Sequence, residues 1–199
     1  IEDLESEIEC NLVLQGCSAI EGKLQAGVPE CVEQLCVAGL NIWVLTGDKE
    51  ETAINIGVAC KLVQPKAYME HLIVNPSICK DLSEMRKWFK EQISRAQLEK
   101  QKSATGDLAK PRALIIDGPS LIIAMEDKSE GGVREQILAF SHHCKVVVGC
   151  RVSPDQKREM VALIKYGIPG VRTLSIGDGA NDVAMIQEAH VGVGIKGEE

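Results

Sequence analysis

The chain has 199 residues, of which 45% are hydrophobic and 26% charged, a composition typical of a globular domain with a sizeable core. Its formal net charge of -7 argues against general nucleic-acid binding, which needs clustered Lys and Arg to neutralise phosphates. Aromatic residues make up only 3%, so we expect a core of Val, Ile, Leu and Ala, as in a buried parallel sheet covered by helices.

Short apolar runs rich in β-branched residues alternate with helical patterns along the chain. Strands are predicted at 12–14, 41–46, 113–117, 145–148 and 173–176, with 190–193 as a candidate sixth. Helices are predicted at 29–40, 50–62, 130–142, 153–166 and 181–188. This alternation predicts an α/β fold with a mainly parallel sheet and right-handed crossovers.

Residues 80–102 interrupt the alternation with a highly charged segment. Its apolar residues recur at roughly helical spacing, at Leu82, Met85, Phe89, Ile93 and Leu98. We therefore expect a long amphipathic helix within a variable insertion spanning 64–110. A solvated surface helix is favoured over a partner-binding or membrane-surface helix.

The spacing of the eight cysteines, the length of the apolar segments and the chain ends each lead to an expectation about the protein's surroundings or extent. No two cysteines form a C-x-x-C pair, and no Cys/His spacing matches a zinc site, so we expect reduced thiols, mostly in the core of a cytosolic domain. No segment approaches the roughly 20 apolar residues that span a bilayer. Because the chain begins at Ile1 rather than Met and ends at Glu199 soon after an apolar run, both ends are expected to be cuts in a longer polypeptide.

The loops that follow the strands are the first place to look for chemistry, because ligands of open parallel sheets bind at the carboxyl ends of the strands. Thr46-Gly47-Asp48 follows the second predicted strand and precedes a helix. A Thr hydroxyl with backbone N–H groups at a helix start predicts a phosphate cradle. The alternative is that Thr46 and Asp48 only cap the helix.

Two cations follow the fourth predicted strand. Arg151 lies at the end of that strand, and Lys157 lies one turn into the helix that Ser153 and Pro154 open. An ammonium group held there would neutralise charge on a phosphoryl group. The alternative is a solvated helix lysine.

The loop Gly177-Asp178-Gly179-Ala180-Asn181-Asp182 follows the fifth predicted strand. Its glycines permit a sharp turn that brings two carboxylates together beside an amide. These are the oxygen ligands that Mg²⁺ prefers next to a substrate phosphate, although an acidic turn with a helix cap is the alternative. Together with Thr46 and Lys157, the loop predicts a single pocket for Mg²⁺-dependent phosphoryl transfer.

Such a pocket also needs a group that accepts the phosphoryl, and the sequence offers none. No D-x-D or D-K-T stretch is present. Asp117 is followed by Gly118-Pro119, and Asp48 heads a helix, so neither resembles a nucleophile loop. We therefore expect the nucleophile to lie outside this chain.

Several segments together resemble a known family, the P-type ATPases, through their haloacid-dehalogenase-like phosphorylation domain. The segments are 42–49, 51–57, 150–157 and 176–195. The context of Trp43, the run Asn55-Ile56-Gly57 and residues 19–25 resemble the type IV branch, the phospholipid flippases, more than the cation pumps. The resemblance covers nearly the whole chain outside the 64–110 segment.

The resemblance implies a Rossmann-like three-layer sandwich, Mg²⁺ and ATP as cofactors, and specific residue roles. Thr46, Gly47 and Asp48 would hold the phosphoryl group or the ATP phosphates, and Arg151 would lie near the nucleotide. Lys157 would contact the phosphorylated aspartate. Asp178 would bind Mg²⁺, with Asn181 and Asp182 completing that site, so that Lys157, Thr46 and Asp182 are the expected catalytic residues.

The resemblance also implies that residues 1–199 are a fragment of the phosphorylation domain without its nucleophile loop. The parent would be a multi-pass membrane protein with this domain on the cytoplasmic side, moving a phospholipid, with an accessory membrane subunit as a candidate partner. Gly22 stands where the family usually has Asp, which puts a contact near the hinge to the nucleotide domain in doubt. The alternatives are a cation-transporting P-type ATPase, a soluble phosphatase of the same superfamily, and a regulatory ATPase-like module.

Overall fold

The computed structural model describes residues 10, 13, 15–18, 24–103 and 110–196. Gly22 and, apart from Val13, the strand predicted at 12–14 lie outside these residues. Within these ranges, no helix combines the length and apolar content needed to cross a bilayer.

The strands form two parallel sheets. The main sheet has the order β1-β4-β3-β2, with β1 at Trp43–Leu45, β2 at Glu70–Val74, β3 at Arg112–Asp117 and β4 at Val146–Cys150. The second sheet pairs β5, Leu174–Gly177, with β6, Val191–Gly194. Because all pairs are parallel, the loops that follow the strands gather at one end of each sheet, here called the carboxyl edge.

The helices connect these strands in chain order. They are α1 Val28–Val37, α2 Glu50–Ala59, α3 Leu82–Ser103, α4 Gly118–Glu126, α5 Val133–Ser141, α6 Pro154–Gly167 and α7 Val183–Glu188. A 3-10 turn, Ala180–Asp182, directly precedes α7.

Helices cover both faces of the main sheet, which gives three layers. Every residue of β3 is buried, as expected for a central parallel strand. Leu114 and Ile116 face a core built with α3, α4, α5 and α6. Ala113 and Ile115 face the opposite core, which includes α2 and the inner side of α1. The predicted α/β class with a mainly parallel sheet is confirmed.

Two elements were not predicted. Strand β2 lies inside the 64–110 segment yet pairs with β3 along its whole length, so part of the expected insertion belongs to the main sheet.

Helix α4 starts at Gly118-Pro119, a pair of residues that is typical of a turn. The Asp117 carboxylate caps this helix by accepting a hydrogen bond from the Ser120 N–H at 2.9 Å, with Pro119 in the first turn.

Helix α3 occupies the predicted 80–102 region and is fixed to the core. Met85 and Phe89 are fully buried, whereas Leu98 is 58% exposed. The Phe89 ring packs edge-on against the rings of Trp88 and Phe140, with centroid distances of 4.9 and 6.1 Å. The apolar stripe is therefore a core contact over the first half of the helix and is exposed at Leu98.

Most of the eight cysteines contribute to the core, as expected. Cys60, Cys79 and Cys150 are buried, and Cys36 and Cys144 are half-buried and pack against the two cores. The other three, Cys10, Cys17 and Cys31, are exposed, which was not expected.

A polar cluster ties α3 to the loop between α4 and α5. The Asp127 carboxylate accepts hydrogen bonds from Arg86 at 2.7 and 2.8 Å, from the Ser129 hydroxyl at 2.6 Å and from the Val133 N–H at 2.8 Å. The Asp127 side chain is 3% exposed. The Arg86 guanidinium, with help from Ser129 and Val133, holds the pKa of Asp127 well below its usual range.

This lowered pKa predicts a pH dependence of stability. The unfolded chain binds a proton at Asp127 near pH 4, before the folded chain does, so stability is lost as the pH falls below about 4. We expect Asp127→Asn to flatten this fall in the free energy of unfolding, measured by urea unfolding at pH 7, 4 and 3. The exposed Asp155→Asn serves as the control and should leave the slope unchanged. Equal slopes in the wild type and Asp127→Asn would contradict the prediction.

Candidate active site at the carboxyl edge

The loop after β1, here called the 46–48 loop, is a closed polar turn. The Asp48 N–H donates to the Thr46 Oγ1 at 3.1 Å, and the Thr46 hydroxyl donates to the Asp48 Oδ2 at 3.0 Å. Lys49 is the N-cap residue of α2, and no side chain caps that helix. The cap alternative therefore does not account for Thr46 and Asp48, whose hydroxyl and carboxylate bond each other at the edge of the sheet.

The loop after β4 is bonded directly to the 46–48 loop. The Arg151 N–H donates to the Asp48 carbonyl at 2.8 Å, and the Val152 N–H donates to the Thr46 carbonyl at 3.1 Å. Arg151 has a φ of 52°, in the left-handed region that non-glycine residues rarely occupy. This backbone conformation turns the chain from β4 toward α6. The Arg151 N–H at this turn remains bonded to the Asp48 carbonyl.

Cys150, next to Arg151, is not a candidate nucleophile. Burial, with the nearby Asp117 carboxylate, raises the pKa of the Cys150 thiol to about 11. The thiol is therefore protonated at neutral pH and acts as a small core group beside Ile116, whose carbonyl it contacts at 3.6 Å.

Lys157 is held in a fixed position by the start of α6. Ser153 and Gln156 form a capping box, in which the Ser153 N–H donates to the Gln156 Oε1 at 2.8 Å. The Lys157 ammonium donates to the Asp182 Oδ1 at 2.8 Å, and the two side chains are only 11% and 14% exposed. Lys157 is therefore not a solvated helix lysine.

The loop after β5, here called the 177–182 loop, fixes Asp182 by close packing. The Asp182 N–H donates to the Gly179 carbonyl at 3.0 Å. A Cβ placed on Gly177 would lie 2.4 Å from the Asp182 Cβ, so only glycine lets Asp182 approach the strand end. Asp178 and Asn181 are exposed at this edge.

These residues fit a magnesium ion. The Asp178 carboxylate makes no hydrogen bond or ion pair to the described part of the chain, and Asp182 offers a second carboxylate beside it in the loop. No group of three or more His, Cys, Asp or Glu side chains suited to a metal occurs among the described residues. A site with two carboxylates matches Mg²⁺, which usually keeps several waters and takes the remaining oxygens from phosphate.

The described contacts join the predicted site residues in two groups. Thr46, Asp48 and Arg151 are bonded together at the main sheet, and Lys157 is bonded to Asp182 beside the second sheet. The first turn of α6 links the groups, since the Lys157 N–H donates to the Ser153 carbonyl at 3.0 Å. Within residues 24–103 and 110–196, no hydrogen bond or ion pair joins the 46–48 loop directly to the 177–182 loop.

Two supporting residues were not predicted as part of the site. The Gln156 side chain donates to the Gly118 carbonyl at 2.6 Å, and the Asp117 carboxylate lies 3.7 Å from the Arg151 guanidinium. The Ser153-x-x-Gln156 spacing is a capping-box signal visible in the sequence. Asp117 had no such signal, because its partner is 34 positions away in the chain.

Comparison with known proteins places this geometry in a class. A family model described as haloacid dehalogenase-like hydrolase matches residues 156–197, which include Lys157 and the whole 177–182 loop. The α/β fold with its mainly parallel sheet fits this class.

The relatives cover the whole chain. "Phospholipid-transporting ATPase 10" of Arabidopsis thaliana is 44% identical over 209 residues, covering 100% of this chain and 17% of the relative. "Probable phospholipid-transporting ATPase 12" of the same plant is 46% identical over 212 residues, with 100% and 17% covered. "Phospholipid-transporting ATPase DNF1" of Chaetomium thermophilum is 44% identical over 212 residues, with 100% and 13% covered.

The chain belongs to the family of the phospholipid-transporting ATPases, the type IV branch of the P-type ATPases. It spans 13 to 17% of the length of these curated relatives.

Proposed function

We propose that this chain is part of the phosphorylation domain of an ATPase that translocates a phospholipid across a membrane. The observation that carries the proposal is the nearly buried Lys157–Asp182 pair, at 2.8 Å, in a loop that also presents the exposed Asp178. A fixed ammonium in a loop with two carboxylates suits Mg²⁺-dependent transfer of a phosphoryl group. The full-chain similarity to phospholipid-transporting ATPases supports the substrate class.

Each residue of the candidate site would have a separate role in the reaction. Asp178 and Asp182 would hold Mg²⁺, which supplies positive charge to the phosphate oxygens, and Asn181 would complete that site. Lys157 orients Asp182 and offers its ammonium to the phosphorylated side chain. Thr46, Gly47 and Asp48 would hold phosphate once the hydrogen bonds between Thr46 and Asp48 open. Arg151, whose backbone N–H bonds the Asp48 carbonyl, would lie near the nucleotide of ATP.

The phosphoryl group would be accepted by an aspartate that this sequence does not contain. In the described residues β1 pairs only with β4, and β5 pairs only with β6, so each has an edge with no strand beside it. Leu174 and Ile176 of β5 are 54% and 49% exposed, which is unusual for a parallel strand. A strand from elsewhere in the parent protein, inserted between β1 and β5, would cover these residues and bring an aspartate to both loops.

The parent would be a membrane protein with this domain on its cytoplasmic side. The lipid would be selected by membrane segments that this chain does not include, and an accessory membrane subunit is a further proposed partner. Nucleic acid is not a proposed partner, because the net charge of -7 opposes phosphate-backbone binding.

The deciding experiment uses the full-length protein in lipid vesicles. We expect Mg²⁺-dependent ATP hydrolysis that a phospholipid stimulates and that vanadate inhibits. Stimulation by a cation and not by lipid would favour a cation-transporting ATPase. Complete absence of ATP hydrolysis in the full-length protein would favour a regulatory module.

The isolated 199-residue chain is expected to bind Mg²⁺ weakly and to hydrolyse no ATP, because it lacks the accepting aspartate. Phosphate release from ATP by the purified chain and Mg²⁺ binding by calorimetry check the two parts. Asp178→Asn should weaken Mg²⁺ binding, while Asp155→Asn, an exposed aspartate outside the loop, should not. ATP turnover by the isolated chain would contradict the proposed division of the site.

A further inference from the structure

We propose that Asp117 is a positioning residue that holds the Arg151 guanidinium at the carboxyl edge, beside the end of β3. The inference deepens the proposed function, on which the role of Arg151 toward the nucleotide rests. Its structural part concerns this chain alone and is tested separately.

The Asp117 carboxylate has a charged partner that a helix cap does not need. Asp117 is 2% exposed, at the last position of β3 and directly beside Cys150 of β4. Its Oδ1 caps α4 through the Ser120 N–H at 2.9 Å, and its Oδ2 lies 3.7 Å from Nη2 of Arg151. Asn or Ser would cap the helix equally well, so the negative charge has its use at Arg151.

The turn after Asp117 is also fitted to the Arg151 backbone. A Cβ on Gly118 would lie 2.1 Å from the Arg151 carbonyl oxygen, so no other residue allows this approach. The Gln156 side chain binds the Gly118 carbonyl at 2.6 Å and closes the turn against the start of α6. The start of α4 therefore packs against the Arg151 carbonyl, while the 46–48 loop accepts a hydrogen bond from the Arg151 N–H.

Arg151 is held in an unfavourable backbone conformation between these two supports. Its φ of 52° is unfavourable for a non-glycine residue, and such strain persists only where the surroundings fix it. The Arg151 side chain is 51% exposed, and Nη2 is the guanidinium nitrogen that pairs with Asp117, which leaves other N–H donors accessible. These donors are available to an anion such as a nucleotide phosphate, and Asp117 sets the direction in which they point.

The first test uses the 199-residue chain and ¹⁵N NMR of the Arg151 Nε–Hε group. Asp117→Asn preserves the helix cap and removes only the charge. We expect the order parameter of this group to fall in Asp117→Asn and to stay at its wild-type value in Asp155→Asn, which removes the same charge from an exposed position nearby. An unchanged order parameter in Asp117→Asn overturns the proposal. If that variant does not fold, Asp117→Ser, a smaller uncharged cap, replaces it.

The second test uses MgATP hydrolysis by the full-length protein. We expect Asp117→Asn to raise the KM for MgATP by roughly tenfold with a much smaller change in kcat, because the lost interaction orients a binding group. A merely structural role would lower kcat through loss of folded enzyme and leave KM unchanged. In an Arg151→Ala background Asp117→Asn should add nothing further, and a full additive effect there overturns the proposal.

The two tests separate the failure of this inference from that of the proposed function. A wild-type protein without ATP hydrolysis would refute the proposed function, and the NMR result would still decide whether Asp117 positions Arg151. An active wild type with an unchanged KM in Asp117→Asn would refute this inference alone.

Discussion

Lys157→Met is expected to reduce ATP hydrolysis by the full-length protein by on the order of 10² to 10³, the effect typical of losing one fixed charge-stabilising donor. The Lys157 ammonium donates to Asp182 at 2.8 Å in a nearly buried position. Its removal takes away the cation meant for the phosphoryl group and leaves the Asp182 carboxylate without its counter-charge. The measurement is kcat for MgATP hydrolysis together with formation of the phosphorylated protein.

Lys165→Met is the matched control, since Lys165 lies on the same helix and also pairs with a carboxylate, Glu188, at 3.5 Å. It should change thermal stability slightly and leave kcat near the wild-type value. Lys157→Arg keeps the charge and should recover part of the activity. Equal losses in Lys157→Met and Lys165→Met would show that Lys157 serves folding alone.

Gly177→Ala is expected to destabilise the isolated chain by about 1 to 3 kcal/mol and to lower the activity of the full-length protein. The added Cβ would meet the Asp182 Cβ at 2.4 Å and its carboxylate at 2.7 Å. Because the Asp182 Cβ is fixed to the backbone, the start of α7 must move, and Asp182 then loses its distance to Lys157. Urea unfolding of the isolated chain measures the first effect, and MgATP hydrolysis measures the second.

Gly194 provides a control directly across the strand pair. It is the register partner of Gly177, and a Cβ on Gly194 would meet nothing within 4 Å. Gly194→Ala should therefore leave stability unchanged or raise it by a few tenths of a kcal/mol, through a less flexible unfolded chain. If both variants lost the same stability, the close approach of Asp182 would not be the reason.

The loops of the candidate site could be selected from the sequence because their residues are unusual for their position, and the structure places both loops at the carboxyl ends of strands. Two aspartates, two glycines and an asparagine in the six residues 177–182 are a strong signal after an apolar run, and the structure places that run as β5. The Thr46-Gly47-Asp48 turn was found in the same way, as a polar turn between a short apolar run and a helix. Local composition and the rule that sites follow parallel strands were sufficient for both.

The outer part of the main sheet was not predictable by the same reasoning. Strand β2 has only three consecutive apolar residues, Leu72 to Val74, after Glu70 and His71. Its charged end is explained by a partner far away in the chain: the Glu70 carboxylate pairs with Arg112 at 3.3 Å and also with Arg95. A strand whose polar residues are neutralised across the fold carries little hydrophobic signal of its own.

The pairing of site residues also depends on tertiary structure. Lys157 was expected to neutralise a phosphoryl group, but its described partner, Asp182, is 25 positions away. Asp117 was considered only as a nucleophile and set aside on its neighbours Gly118 and Pro119. In the fold, Gly118 lies close to the Arg151 carbonyl and accepts a hydrogen bond from the Gln156 side chain, contacts that its sequence neighbours do not indicate.

The direction of β3 offers a practical site for labelling this chain. The exposed Lys110 lies two residues before the amino end of β3, whereas Asp117 and the candidate site lie at its carboxyl end. A small fluorescent label placed at Lys110 would be separated from the candidate site by the full length of a buried strand. It would allow movements of this domain to be recorded without a group added at the carboxyl edge.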